Sequence, residues 1–168
     1  IPDHNFIEEN EDIIFDKKKV ILGINLNIEK QSYLLNELAR YYKEQPFKHN
    51  RQKGLRYYFN NNYFSYSDGI FLYCMMRYLN PARIIEIGSG YSSALMLDVN
   101  ELNFNNSIEL TFIEPYPERL KSLISDNEKC IIAKDFVQNV GSQFFENLEA
   151  NDILFIDSSH VSKVGSDL

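Results

Sequence analysis

The stretch Arg83-Ile84-Ile85-Glu86-Ile87-Gly88-Ser89-Gly90-Tyr91-Ser92-Ser93 decides the fold: an apolar run with one carboxylate inside it, then two glycines spaced one apart. Gly88 and Gly90 lack Cβ atoms, so the backbone can turn sharply where a strand ends and a nucleotide can approach it closely. Tight strand-to-helix turns also use glycine for purely steric reasons, so the pair needs support from its surroundings.

Outward from this loop, strands and helices alternate. Ile84–Ile87, Ile108–Ile113, Cys130–Ile132 and Ile153–Ile156 read as strands, and Ser92–Asn100, Pro117–Ser125 and Gln143–Leu148 as the helices between them. Continuous apolar runs separated by helices predict an α/β, Rossmann-like parallel sheet buried on both faces and flanked by helices. Upstream, Ser67 or Asp68 caps a helix reaching Leu79, which Asn80-Pro81 ends. Leu34, Leu35, Leu38, Tyr41 and Tyr42 recur at helical spacing in an amphipathic helix from Ile28 to about Glu44, capped by Asn27 and stopped by Pro46. Residues 1–27, with Ile13-Ile14-Phe15 and Val20-Ile21-Leu22 between charged stretches, read as extended or irregular. The polar stretch 47–53 reads as a loop, and the aromatic clusters 57–59 and 63–66 after it as core more than as binding platform. The division predicted is an N-terminal helical and aromatic extension or lid over 1–64 and a nucleotide-binding domain over 65–168.

At 168 residues, 44% of them hydrophobic, the chain can bury a substantial core. A net charge of −7, with no basic run longer than Lys17-Lys18-Lys19, argues against a nucleic-acid surface. No apolar stretch is long enough to span a bilayer, and the first residues are not signal-like, although a start without Met points to a missing N-terminus. Cys74 and Cys130 lie far apart in apolar segments and read as free thiols, which fits a reducing, cytoplasmic setting. The N-terminal aromatics would serve equally as a pocket wall or a subunit interface in a homo-oligomer. His4 and His49 lie in polar segments, without metal-ligand spacing to another His or Cys.

Glu114 ends the second strand, where an acid can accept hydrogen bonds from both hydroxyls of a ribose. Glycine loop and ribose acid together fit a nicotinamide dinucleotide or S-adenosylmethionine. Glu86 would repel a pyrophosphate, and Ser93 stands where the dinucleotide fingerprint needs Gly or Ala; both points favour S-adenosylmethionine. Ser89 lies between glycines, but the flanking residues do not supply the G-x-S-x-G elbow of a serine hydrolase.

The chain over roughly residues 65–168 resembles the class I S-adenosylmethionine-dependent methyltransferases. The resemblance is carried by Glu86-Ile-Gly-Ser-Gly90, Phe112-Ile-Glu-Pro115, Lys134-Asp-Phe136 and Asp152-Ile-Leu-Phe-Ile-Asp157, four segments in the family's order. It implies Glu86, Gly88, Ser89, Gly90, Glu114, Pro115, Asp135, Phe136 and Asp157 as cofactor contacts. The ending Phe-Ile-Asp-Ser-Ser-His is similar to a subgroup of small-molecule O-methyltransferases in which an acid and a following His border the reaction centre. Two departures stand out. Ser92 occupies a position where the family often has Gly, and the family's sheet continues beyond strand four, with strands this chain does not contain, so a fragment or a sheet completed from elsewhere is expected.

Methyl transfer needs a nucleophile held in line with the methyl group and relieved of its proton. Asp157, at the carboxyl end of strand four, is expected to bind the small-molecule acceptor or a divalent cation, and His160 to take the proton from a hydroxyl. The bland reading makes Asp157 and Ser158 helix caps and His160 a surface residue. The rivals are an NAD(P)-dependent oxidoreductase or epimerase, and a non-catalytic cofactor-binding module.

Overall fold

The computed structural model describes residues 3–16 and 23–159, so the patch 20–22 and His160 lie outside the described residues. The chain divides into two compact units, Ile1–Tyr33 and Leu34–Leu168.

The first unit holds two short helices, α1 (His4–Glu9) and α2 (Glu11–Ile14), and the start of α3 (Ile28–Tyr42). Helix rather than extended chain forms here because Asp3 caps α1, its side chain accepting from the Phe6 N–H at 3.2 Å. Asn27, at φ 50°, precedes α3 in the left-handed region, and its carbonyl accepts the first helical bond, from the Gln31 N–H at 3.0 Å.

The second unit is built on four parallel strands in the order β3-β2-β1-β4, with β1 at Arg83–Ile87, β2 at Glu109–Ile113, β3 at Ile131–Ala133 and β4 at Ile153–Ile156. The expected α/β, Rossmann-like class is therefore present, in a sheet that is not closed. Between the strands lie α5 (Tyr91–Phe104), α6 (Glu118–Leu123), a 3-10 turn (Val137–Asn139) and α7 (Gln143–Glu146), with α4 (Tyr66–Leu79) preceding β1. Ser65, not Ser67 or Asp68, is the N-cap of α4, and Asp68 reaches back to accept from its N–H at 3.3 Å.

Alternation along β1 assigns its faces. Ile84 and Glu86 belong to the side covered by α4 and α5, where Tyr57, Tyr73, Met76, Leu95, Met96 and Phe112 are buried, while Ile85 and Ile87 join Ile113 in a smaller cluster on the other face. On β4, Ile153 and Phe155 pack against the larger core, but Leu154 and Ile156 are exposed. Asp152 fixes the start of β1, accepting from the N–H groups of Ala82 at 3.0 Å and Arg83 at 2.8 Å.

The aromatic segment after α3 is core to this unit. Phe47, Tyr57 and Phe59 are buried in edge-to-face contacts, the Phe47 and Tyr57 ring centroids 4.9 Å apart. Gly69 makes room for the Tyr57 hydroxyl, since a Cβ there would lie 2.2 Å from it. A charge cluster ties the segment to α5: buried Asp98 accepts from the N–H groups of Arg56 and Tyr57, each at 2.9 Å, and pairs with the Arg56 guanidinium at 2.7 Å. Arg56 also pairs with Glu128 at 2.8 Å and Glu101 at 3.0 Å. Burial lifts the Asp98 carboxyl above its ordinary range, and the hydrogen bonds from Tyr57 and Arg56 offset part of that rise. The aromatic segment thus belongs to the second compact unit, Leu34–Leu168.

Cys74 is buried and Cys130 half-buried, and both are free thiols. Among the described residues, no helix is long and apolar enough to cross a membrane.

Candidate functional site

The parallel register brings the carboxyl ends of the strands together. The ladder continues past them: the Gly88 N–H donates to the Ile113 carbonyl at 3.0 Å, Asp157 to Ile87 at 2.9 Å and Glu114 to Ala133 at 3.0 Å. Open α/β sheets bind ligands along this edge. A cleft of about 200 Å³ opens there, lined by Gly88, Ser89, Gly90, Tyr91 and Ser92 of the loop, Asp157 and Ser158 after β4, Tyr63 and Phe64 of the aromatic segment, and Arg119 of α6.

Gly88 takes φ 87°, and a Cβ on it would lie 2.1 Å from the Asp157 carbonyl oxygen. Its glycine requirement therefore comes from the turn and from β4 running alongside. Beside Gly90 the neighbour is the flexible Arg119 side chain, 3.2 Å from an added Cβ.

Glu114 accepts the Ser89 N–H on Oε2 at 3.0 Å and the Tyr116 N–H on Oε1 at 2.9 Å, which pins the loop to the end of β2. Each carboxylate oxygen retains a further lone pair for a ligand hydroxyl. Asp135 folds onto its own turn, accepting from the Phe136 N–H at 2.7 Å and the Asn139 amide at 2.8 Å. Phe136 and Tyr116 are exposed and meet edge to face at 6.0 Å, with half-buried Pro115 between Glu114 and Tyr116 in the chain.

Glu86 differs from its sequence reading as a cofactor contact. It is fully buried, and its two carboxyl oxygens take the hydroxyls of Ser92 and Ser93. Burial pushes its carboxyl up to about 8, against the pull of those two serine hydrogen bonds. At neutral pH the group is mostly protonated, so it exerts little repulsion on an anion at the loop, and that argument against a pyrophosphate loses its force. Ser92, the departure at a family glycine, turns inward to Glu86 and is 3% exposed, which leaves the loop surface clear of its side chain.

Sequence reasoning gave no ligand-binding role to Ser158, Tyr91 or Arg119. Among the described residues, the buried hydroxyls of Ser89 and Ser158 find no hydrogen-bond partner. The Arg119 guanidinium lies 3.9 Å over the Tyr63 ring, and the Tyr63 ring stacks on Tyr91 at 6.0 Å. The Tyr91 and Tyr58 hydroxyls are 3.1 Å apart. Spacing carried a signal for the Tyr63-Phe64 pair but none for an arginine arriving from another helix. Among the described residues, no three His, Cys, Asp or Glu side chains come together as a metal site. His49 is exposed and hydrogen-bonds the Tyr66 hydroxyl through Nδ1; His4 is exposed.

No family model matches the chain, and no solved structure gives a significant match. The chain is 36% identical over 161 residues to an uncharacterized protein of Archaeoglobus fulgidus, the match taking in 91% of this chain and 72% of that protein.

Proposed function

The chain belongs to the same family as the uncharacterized Archaeoglobus fulgidus protein, and we propose that it is an S-adenosylmethionine-dependent methyltransferase acting on a hydroxyl of a small-molecule acceptor. One observation carries the reading: Glu114, at the end of β2, grips the Ser89 N–H and keeps lone pairs for a ribose beside a glycine loop. The orphaned Ser89 hydroxyl in the same cleft fits a polar ligand held there. Glu114 would hold the ribose, the backbone of Gly88, Ser89 and Gly90 the amino-acid portion, and Tyr116 and Phe136 the base. Bound S-adenosylmethionine supplies an electrophilic methyl group on a sulfonium. Asp157 orients the acceptor hydroxyl, alone or through a divalent cation, and His160 receives its proton.

A second reading has specific support. With Glu86 mostly protonated and Arg119 beside Gly90, the loop tolerates an anion, as a nicotinamide dinucleotide would require.

Calorimetric titration decides between them. S-adenosylmethionine binding that Glu114→Ala weakens by about tenfold or more, with no binding of a nicotinamide dinucleotide, is the expected result. Dinucleotide binding in its place would move the assignment to the oxidoreductase class, and no binding of either would leave the non-catalytic module.

A further inference from the structure

Three donors line the cleft without an acceptor among the described residues. Ser89 is only 9% exposed and its hydroxyl is unpartnered, as is the buried Ser158 hydroxyl; both residues line the cleft. Buried hydroxyls left unpaired are costly, and a ligand acceptor accounts for them. Arg119 lines the same cleft and, among the described residues, pairs with no carboxylate; its guanidinium instead lies over the Tyr63 ring. A guanidinium and two hydroxyls suit an anion with at least two acceptor oxygens.

Asp157 lines the cleft with Arg119, and Glu114 bonds to the glycine loop, so the guanidinium shares this end of the sheet with two acids. A monoanion is repelled there less than a phosphate dianion. The rings of Tyr63 and Tyr91, stacked at 14° to one another, border the space and favour a flat body behind the charge.

We propose that Ser89, Ser158 and Arg119 form a carboxylate subsite for the acceptor, so that the methyl acceptor is a small, flat carboxylic acid. This rests on the methyl-transfer reading above. Ser158 stands at the end of β4, on the opposite side of β1 from the ribose acid on β2. The subsite thus lies on the acceptor's side of the loop.

The test is calorimetry on the full chain with benzoate, inorganic phosphate and S-adenosylmethionine as separate probes, in the wild type, Arg119→Gln, Arg119→Lys and Ser158→Ala. Benzoate should bind, about tenfold or more weaker in Arg119→Gln, with partial recovery in Arg119→Lys and a smaller loss in Ser158→Ala. S-adenosylmethionine affinity should stay within about twofold across the series. Benzoate that fails to bind the wild type overturns the subsite, as does phosphate binding more tightly than benzoate. If Arg119→Gln instead weakens S-adenosylmethionine and spares benzoate, the carboxylate held there is the cofactor's own and the proposal falls. If S-adenosylmethionine does not bind while benzoate keeps its dependence on Arg119, the carboxylate subsite stands and only the methyl-transfer reading fails.

Discussion

Glu114 and Ser89 are joined across two neighbouring strand ends, Oε2 of the acid accepting the N–H of the loop residue at 3.0 Å. Because Oε1 accepts the Tyr116 N–H as well, the carboxylate holds two turns in place before any ligand arrives. Glu114→Gln retains one amide oxygen for these N–H groups and turns a donor toward the other. The unliganded variant should lose about 1–3 kcal/mol of stability by thermal or denaturant unfolding. An unchanged midpoint would show that the acid does not organise the loop.

The buried carboxyl of Glu86 makes stability depend on pH. Its folded-state value of about 8 lies above the ordinary 4.5, so the folded chain holds a proton that the unfolded chain releases. This contribution is full below about 4.5 and lost as pH rises toward about 8, at a slope of roughly 1.4 kcal/mol per pH unit. Glu86→Gln resembles the protonated form and removes the dependence. Its unfolding midpoint should therefore rise relative to wild type between pH 5 and pH 8; a constant difference across that range would contradict a neutral Glu86.

Gly88→Ala combines a positive φ with a Cβ placed 2.1 Å from the Asp157 carbonyl oxygen. Neither the turn nor β4 can yield without breaking ladder hydrogen bonds. A loss of about 3 kcal/mol or more is expected, together with faster amide exchange in β4. Gly90→Ala meets only the Arg119 side chain and should cost far less.

Two acids facing Arg56 should behave differently. Asp98 is buried and holds two backbone N–H groups besides the guanidinium, so Asp98→Ala should cost about 3–5 kcal/mol. Glu101, 53% exposed, should cost about 0–0.5 kcal/mol on replacement by Ala. Chemical denaturation of both variants checks the contrast, which equal losses would contradict.

Much of this architecture is legible in the sequence. Ile153–Ile156 and the strand before Gly88 follow from short apolar runs bounded by turn residues, and helices with a strong period, such as Leu34 to Tyr42, announce themselves. The short helices His4–Glu9 and Glu11–Ile14 bury no residue, so no apolar period marks them. The alternation that puts Glu86 on the same face as Ile84 was available, but the complete burial that keeps its carboxyl protonated comes from tertiary packing over that face. Arg119 enters the cleft through tertiary packing alone, and the burial of Tyr57 and Phe59 depends on a charge cluster whose members are 41 and 72 residues apart.

The position of β4 bears on how the molecule assembles. Arg83 and Asp152, 69 positions apart in sequence, meet across the span that must close before the central strand gains its second neighbour. Loop-closure entropy opposes that step, and among the described residues β4 offers one paired edge and one packed face in return. The cleft containing Asp157 and Ser158 is therefore expected to form late in folding and, with the β4 edge, to open before the central pair β1 and β2 in the native ensemble.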